Sequence, residues 1–173
     1  IKFFKLVENG SFREKEISQI LSGSDNTLGT RALRDNISDL KAQVAANRRG
    51  KDLLEKLIEE NSFEAVCNYM ELIQNNSADS VRSLLKNWTG INDSKSVEFM
   101  DDGSKISLHL QIDKKSGTAV FDFTETASQV MENFNAPKAV TFSAILYCLR
   151  CLIQEEVPLN EGFLIPIKIL IPQ

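Results

Sequence analysis

The chain contains a single histidine, His109, among 173 residues, which leaves little material for the imidazole-centred chemistry of many hydrolytic sites. No Ser-His-Asp arrangement can be built around it. It lies in an alternating stretch and points away from the apolar side, the position of an exposed, inert histidine. There are only three cysteines, Cys67, Cys148 and Cys151, an odd number that makes no disulfide framework. Cys148 and Cys151 fall three apart in one helical pattern, where a disulfide would strain the backbone, so they read as reduced, buried thiols of a cytoplasmic protein. Zinc would need two more ligands, which only Cys67 and His109 could supply, so no metal site is read. Nothing resembles a Gly-rich phosphate loop, since Gly29 and Gly50 stand alone, and ATP therefore has no visible binding motif.

Charge is equally uninformative of a polyanionic partner. Twenty basic residues against twenty-four acidic ones leave a net charge of -4, and no basic stripe interleaves with aromatics, which argues against nucleic acid. The longest apolar stretch, 139–153, is broken by Thr141, Ser143 and Arg150 and falls short of the roughly 20 residues needed to cross a bilayer. No segment reads as a signal peptide, and no membrane association is expected. Ile1 is not a start methionine and residues 167–172 read as a strand in progress, so an internal fragment of a larger domain is expected. The hydrophobic content, 42%, is nonetheless enough for a core.

The patterning predicts an α+β fold. Residues 1–7 are strand-like, and Glu8-Asn9-Gly10 is a turn before an amphipathic run through Phe12, Ile17, Ile20 and Leu21, followed by a loop over 24–29. Leu33, Ile37, Leu40 and Val44 then mark a long helix continuing through Leu54 and Ile58. A second helix, capped by Asn61 with Glu64 reaching back, runs from Phe63 to Trp88 and ends near Gly90, and the two form a long antiparallel helix pair. Ile106, Leu108, Leu110 and Ile112 alternate with polar residues, so 97–123 reads as an antiparallel β-meander. A buried helix opening near Asn135-Ala136-Pro137 and a terminal strand complete the chain.

Two polar groupings stand out. Asn36, Asp39, Gln43 and Asn47 form one stripe beside the apolar face of the long helix, while Arg34, Lys41 and Arg48 point elsewhere, toward solvent. Carboxamides at the edge of a core suit recognition of an amide or carboxylate, although spacing alone favours a polar seam against a neighbouring helix or loop. Asp122, Asn133 and Asn135, with Lys138 at the mouth of the next helix, could receive an anion, or Asn135 could simply cap that helix.

The wording of the chain then becomes diagnostic. Gly29-Thr30-Arg31 and the run from Asp35-Asn36-Ile37-Ser38-Asp39-Leu40 to Gln43-Val44-Ala45-Ala46-Asn47 resemble the signature helix of the hydantoinase B/oxoprolinase family. The variant with Leu33 and Asp35-Asn36 is similar to its eukaryotic-type 5-oxoprolinases. Tyr69-Met70 with Ile73-Gln74, Met100 to Ser104, Phe121-Asp122-Phe123, Asn135-Ala136-Pro137, Leu146 to Leu152 and Pro158-Leu159-Asn160 follow in family order, so the resemblance covers nearly all of residues 1–173.

The resemblance implies ATP-dependent opening of a cyclic amide, 5-oxo-L-proline, to L-glutamate in the glutathione cycle, by a larger protein. ATP and magnesium would bind outside this fragment, in a hydantoinase A-like half of the same enzyme, and the full-length protein would be a homodimer. It also implies Arg31, Asn36, Asp39, Gln43, Asp122, Asn133 and Asn135 as substrate-binding candidates, with the catalytic residues unassigned. The family's metal-type motif would lie upstream of Ile1. Glu125 and Glu132 stand where the family usually has Gly, and Phe163 where Cys is common, which leaves open a non-catalytic module with a degraded site. A fragment of a related hydantoinase or acetone-type carboxylase is the other alternative.

Overall fold

The computed structural model describes residues 3–23, 29–131 and 134–172. Residues 1–66 and 67–173 form two compact units, each built around its own contacts.

The first unit opens with a minimal hairpin. β1 (Val7–Glu8) pairs antiparallel with β2 (Ser11–Phe12) across the two-residue loop Asn9-Gly10, the dipeptide that best fits the twist of a tight hairpin. Of the strand expected over residues 1–7, the described residues 3–6 are not strand, and pairing begins at Val7 and Glu8, where β2 lies alongside. α1 (Glu14–Leu21) follows and buries Ile17. α2 (Leu33–Asn61) is a 29-residue helix in which Ile37 is buried and Leu33, Leu40 and Val44 are half-buried. Farther along, Leu53, Leu54 and Leu57 are exposed. The loop expected over 24–29 lies outside the described residues except for Gly29.

α3 (Phe63–Lys86) does not begin as expected. Asn61 is still helical in α2, and its side-chain amide donates back to the Leu57 carbonyl. The break falls at Ser62, whose φ of 75° ends α2 and whose hydroxyl accepts weakly from the Ala65 amide at 3.4 Å. A short hydroxyl there serves both as stop and as N-cap. The helix also stops at Lys86, before Trp88, whose indole N–H donates to the Ile91 carbonyl.

In the second unit β3 (Asp93–Phe99), β4 (Lys105–Asp113) and β5 (Thr118–Asp122) form the expected antiparallel meander. After α4 (Lys138–Leu152), the chain returns as β6 (Ile167–Leu170), which pairs parallel to β5, giving the order β3-β4-β5-β6. A parallel neighbour requires a crossover, and α4 provides it. Val81 and Leu85 of α3, Ile112, Ala119, Ile145 and Leu149 of α4, and Phe163 form the core.

Strand alternation holds in the half of β4 that this core covers. Leu110 and Ile112 face the core, whereas Ile106, near the start of the strand, is 40% exposed. Ser107, expected outward and solvated, is buried. The Thr126 hydroxyl accepts from its amide and donates to its carbonyl, both at 3.1 Å, closing the chain over that face. α4 is covered on one side only. Cys148 and Cys151, expected as buried thiols, are exposed, as is Cys67. The reason is that α4 is apolar around its circumference while this core reaches only the Ile145 and Leu149 side. No helix among the described residues is long and apolar enough to cross a membrane.

The core is locked by a polar junction. Ser77, fully buried in α3, shares its hydroxyl proton between the Ile73 and Pro158 carbonyls, each at 3.1 Å, and accepts from the Asn160 side-chain amide at 2.9 Å. The Asn160 side-chain oxygen, Oδ1, accepts from the Gly162 amide at 2.8 Å and so caps the 3-10 turn Glu161–Leu164. Gly162 is pressed so closely against α3 that a Cβ would overlap the Gln74 carbonyl. Gly162→Ala should therefore destabilise the protein by about 1–3 kcal/mol or more, through displacement of the turn that carries Phe163. Equilibrium urea unfolding reads this directly, and an unchanged midpoint would show that the approach is not tight.

Candidate functional site

The candidate residues fall into separate neighbourhoods, and each is held by local chemistry that can be traced. In the first unit Arg31 is exposed just before α2, and Asn36, Asp39 and Gln43 lie in its first three turns. Asn36 is half-buried and donates from its side-chain amide to the Thr30 hydroxyl at 2.8 Å. The same hydroxyl accepts weakly from the Ala32 amide at 3.3 Å, and the Thr30 amide donates to Leu21 at 2.8 Å. Thr30 therefore ties the end of α1 to the start of α2. Gly29 makes that tie possible, because a Cβ there would overlap the Ser22 carbonyl. Two of the quoted family words, Gly29-Thr30 and Asn36, thus describe one joint, with the Ala32 amide between them.

Asp39, Gln43 and Asn47 are exposed, and their side chains make no hydrogen bond among the described residues. They remain available to a ligand or to another protein segment. Lys41 and Arg48 do not simply point to solvent. With Phe12, Val44, Ala45 and Asp52 they line a shallow groove of about 400 Å³. Lys41 bonds Glu14 at 2.8 Å and stands over the Phe12 ring at 5.8 Å.

In the second unit Asp122 ends β5, directly opposite His109 in β4. Its carboxylate accepts from the Thr124 amide at 2.9 Å and hydroxyl at 2.6 Å, which folds the chain into a turn. These bonds, with His109 and Lys95 nearby, hold the Asp122 carboxyl below the usual aspartate range. Asn133 lies outside the described residues. Asn135 does not cap α4, whose N-cap is Pro137. Its carboxamide instead mimics a strand, accepting from the Val130 amide at 2.9 Å and donating to the Val130 carbonyl at 2.6 Å. Lys138 stands 4.9 Å over the Phe142 ring.

His109 is not the inert exposed residue expected from alternation. Its side chain is 27% exposed, and Nε2 bonds the Asp93 carboxylate of β3 at 2.7 Å. Gln111 donates to the other Asp93 oxygen at 3.0 Å. Glu125, where the family pattern favours Gly, has no positive φ and lies 3.7 Å from Lys95, so the carboxylate is accommodated without backbone strain. Glu132 lies outside the described residues. A second open groove, of about 350 Å³, is lined by Asp93, Gln111, Asp113, Thr118 and Val120. Sequence reasoning missed Thr30, Thr124 and the Asp93–Gln111 pair. A polar residue two positions after Asp122 signals such a turn, whereas the Asp93 contact depends on strand register. Among the described residues no group of three or more His, Cys, Asp or Glu could hold a metal ion.

The Gln111 and His109 hydrogen bonds depress the Asp93 pKa below the ordinary 3.8. A depressed carboxyl contributes stability above its unfolded-state pKa and loses it as pH falls through the lower folded value. The difference in melting temperature between the parent and Asp93→Asn should therefore narrow as pH drops below about 4. A gap that stays constant down to pH 2 would contradict the assignment.

The chain matches the hydantoinase B/oxoprolinase family over residues 1–173. It is 44% identical to 5-oxoprolinase 1 of Arabidopsis thaliana, over 99% of this chain and 15% of the plant protein. It is 40% identical to the 5-oxoprolinases of Dictyostelium discoideum and Saccharomyces cerevisiae, over 99% and 96% of this chain and 14% of each relative. The chain thus spans about one seventh of the length of these relatives. A match over residues 1–173, taking in the Thr30–Asn36 joint and the last strand, leaves one conclusion about its descent: the chain belongs to the hydantoinase B/oxoprolinase family.

Proposed function

We propose that this chain is part of an ATP-dependent 5-oxoprolinase, which hydrolyses the lactam of 5-oxo-L-proline to L-glutamate in the glutathione cycle. The observation that carries the reading is sustained identity of 40–44% to three proteins named 5-oxoprolinase, across 96–99% of the chain. A five-membered lactam is resonance-stabilised and resists water. Phosphorylation of its oxygen by ATP makes the ring carbon electrophilic. Water then adds to that carbon and the C–N bond breaks, the nitrogen leaving with a proton as the amine, and a second water hydrolyses the resulting acyl phosphate to the glutamate carboxylate and inorganic phosphate. ATP and magnesium bind outside this chain, in a hydantoinase A-like half of the same cytoplasmic protein, which acts as a homodimer.

In this reading the chain supplies orientation rather than the nucleotide site. Asp39 and Gln43 are the candidates best placed to meet the substrate, since their hydrogen-bonding groups are uncommitted, and Arg31 is exposed beside them in sequence to receive a carboxylate. Asn36 acts from behind by fixing Thr30. Asp122 and Asn135 shape their turns and present the remaining faces of those turns to a ligand.

The test is ADP release by the full-length protein. It should depend on 5-oxoproline and not on hydantoin, and release that depends on neither would overturn the reading. Gln43→Leu should lower the coupled rate by about 10²-fold, the scale of one lost transition-state donor, with the melting temperature unchanged. Asn36→Leu should also abolish coupling while costing only about 1 kcal/mol of stability. Full activity in both variants would remove the stripe from the site.

A further inference from the structure

α4 carries a second packing seam that its own unit leaves bare. Val140, Ala144, Tyr147 and Cys151 recur at spacings of four, three and four, which aligns them on one face. All four are exposed, Val140 at 52% and Tyr147 at 70%. At about 100° per residue this face lies opposite Ile145 and Leu149, which are 4% and 3% exposed in the core. No charged residue occurs between Lys138 and Arg150. The Arg150 guanidinium is turned toward the helix end, donating to the Ile153 and Glu155 carbonyls at 3.3 and 3.1 Å, so it does not solvate the seam. A helix on a protein surface keeps a polar outer face, and one that is apolar all round is packed on both sides.

We propose that the Val140–Ala144–Tyr147–Cys151 seam is the seat of another helix of the same polypeptide, from outside these 173 residues. The four-three-four spacing is a helix-packing periodicity. Ser143 and Ala144, being small, let a partner axis approach to about 8–10 Å. Absence of charge on the seam selects an apolar helix face over an acidic or basic partner. The length of the relatives supplies the occupant: the chain spans 14–15% of three 5-oxoprolinases, so most of such a polypeptide lies outside it. A second copy of the chain is the competing occupant. The inference holds whatever reaction the intact protein catalyses.

Photocrosslinking of the intact polypeptide tests it, with Tyr147→p-benzoylphenylalanine as the probe. The expected product is an internal crosslink, unchanged in mass on a denaturing gel, that maps to a peptide outside residues 1–173. A crosslink between two polypeptides, one to residues 1–173, or none at all overturns the proposal. In the unsubstituted protein, maleimide should modify Cys151 at least about 100-fold more slowly in the native state than in urea. Modification at the unfolded rate also overturns it, and this second measurement does not depend on the bulky probe being tolerated.

Discussion

The buried contact between Ser77 and Asn160 is the constraint on which the second unit depends. α3 and the 3-10 turn approach until backbone meets backbone at Gln74 and Gly162, an approach that leaves polar groups out of reach of water. Unpaired, each would cost about 1–3 kcal/mol. Ser77 and Asn160 pair them: the serine hydroxyl serves two carbonyls and the asparagine, and the asparagine serves the amide of Gly162. No buried side-chain nitrogen or oxygen among the described residues is left without a partner. Phe163 is thereby delivered into the centre of the core at 0% exposure, where it meets the α3, α4 and sheet side chains. β6 starts three residues after the turn, already in register with β5.

The polar residues that the family pattern singles out divide by the same criterion. Asp122, Asn135 and Asn160 each bond nearby main chain, Asp122 also the Thr124 hydroxyl and Asn160 the Ser77 hydroxyl, and Asn36 bonds Thr30. Such residues set the shape of a turn or joint. Asp39 and Gln43 make no such bonds, which is why the proposed contact with substrate rests on them. A family signature of this kind mixes framework with recognition, and only hydrogen-bond accounting separates the two.

Much of the architecture was legible because period and punctuation agree. The two long helices and the meander follow from apolar spacing at three to four and at two, and a terminal strand was expected, whereas its parallel pairing with β5 is not encoded in that spacing. Boundaries were less legible. Asn61 looked like a cap and is helical, because a left-handed Ser62 breaks the chain one residue later. The environment of α4 was misread for a different reason. Its composition is that of a helix covered on both sides, and this core covers one, so Cys148 and Cys151 are exposed. The His109–Asp93 bond was invisible because it depends on the register of β3 against β4, which pairs Lys95 with His109 and places Asp93 across from Gln111. Likewise nothing in the spacing of Asn135 reveals that it clasps Val130 rather than the helix.

A double-mutant cycle between Ser77→Ala and Asn160→Ala, read by equilibrium urea unfolding, tests the central claim most directly. If the two side chains act as one junction, the double variant is less destabilised than the sum of the singles, with a coupling energy of about 1 kcal/mol or more. Additive losses, within about 0.3 kcal/mol, would mean that the turn is held by apolar contact alone and would contradict this account.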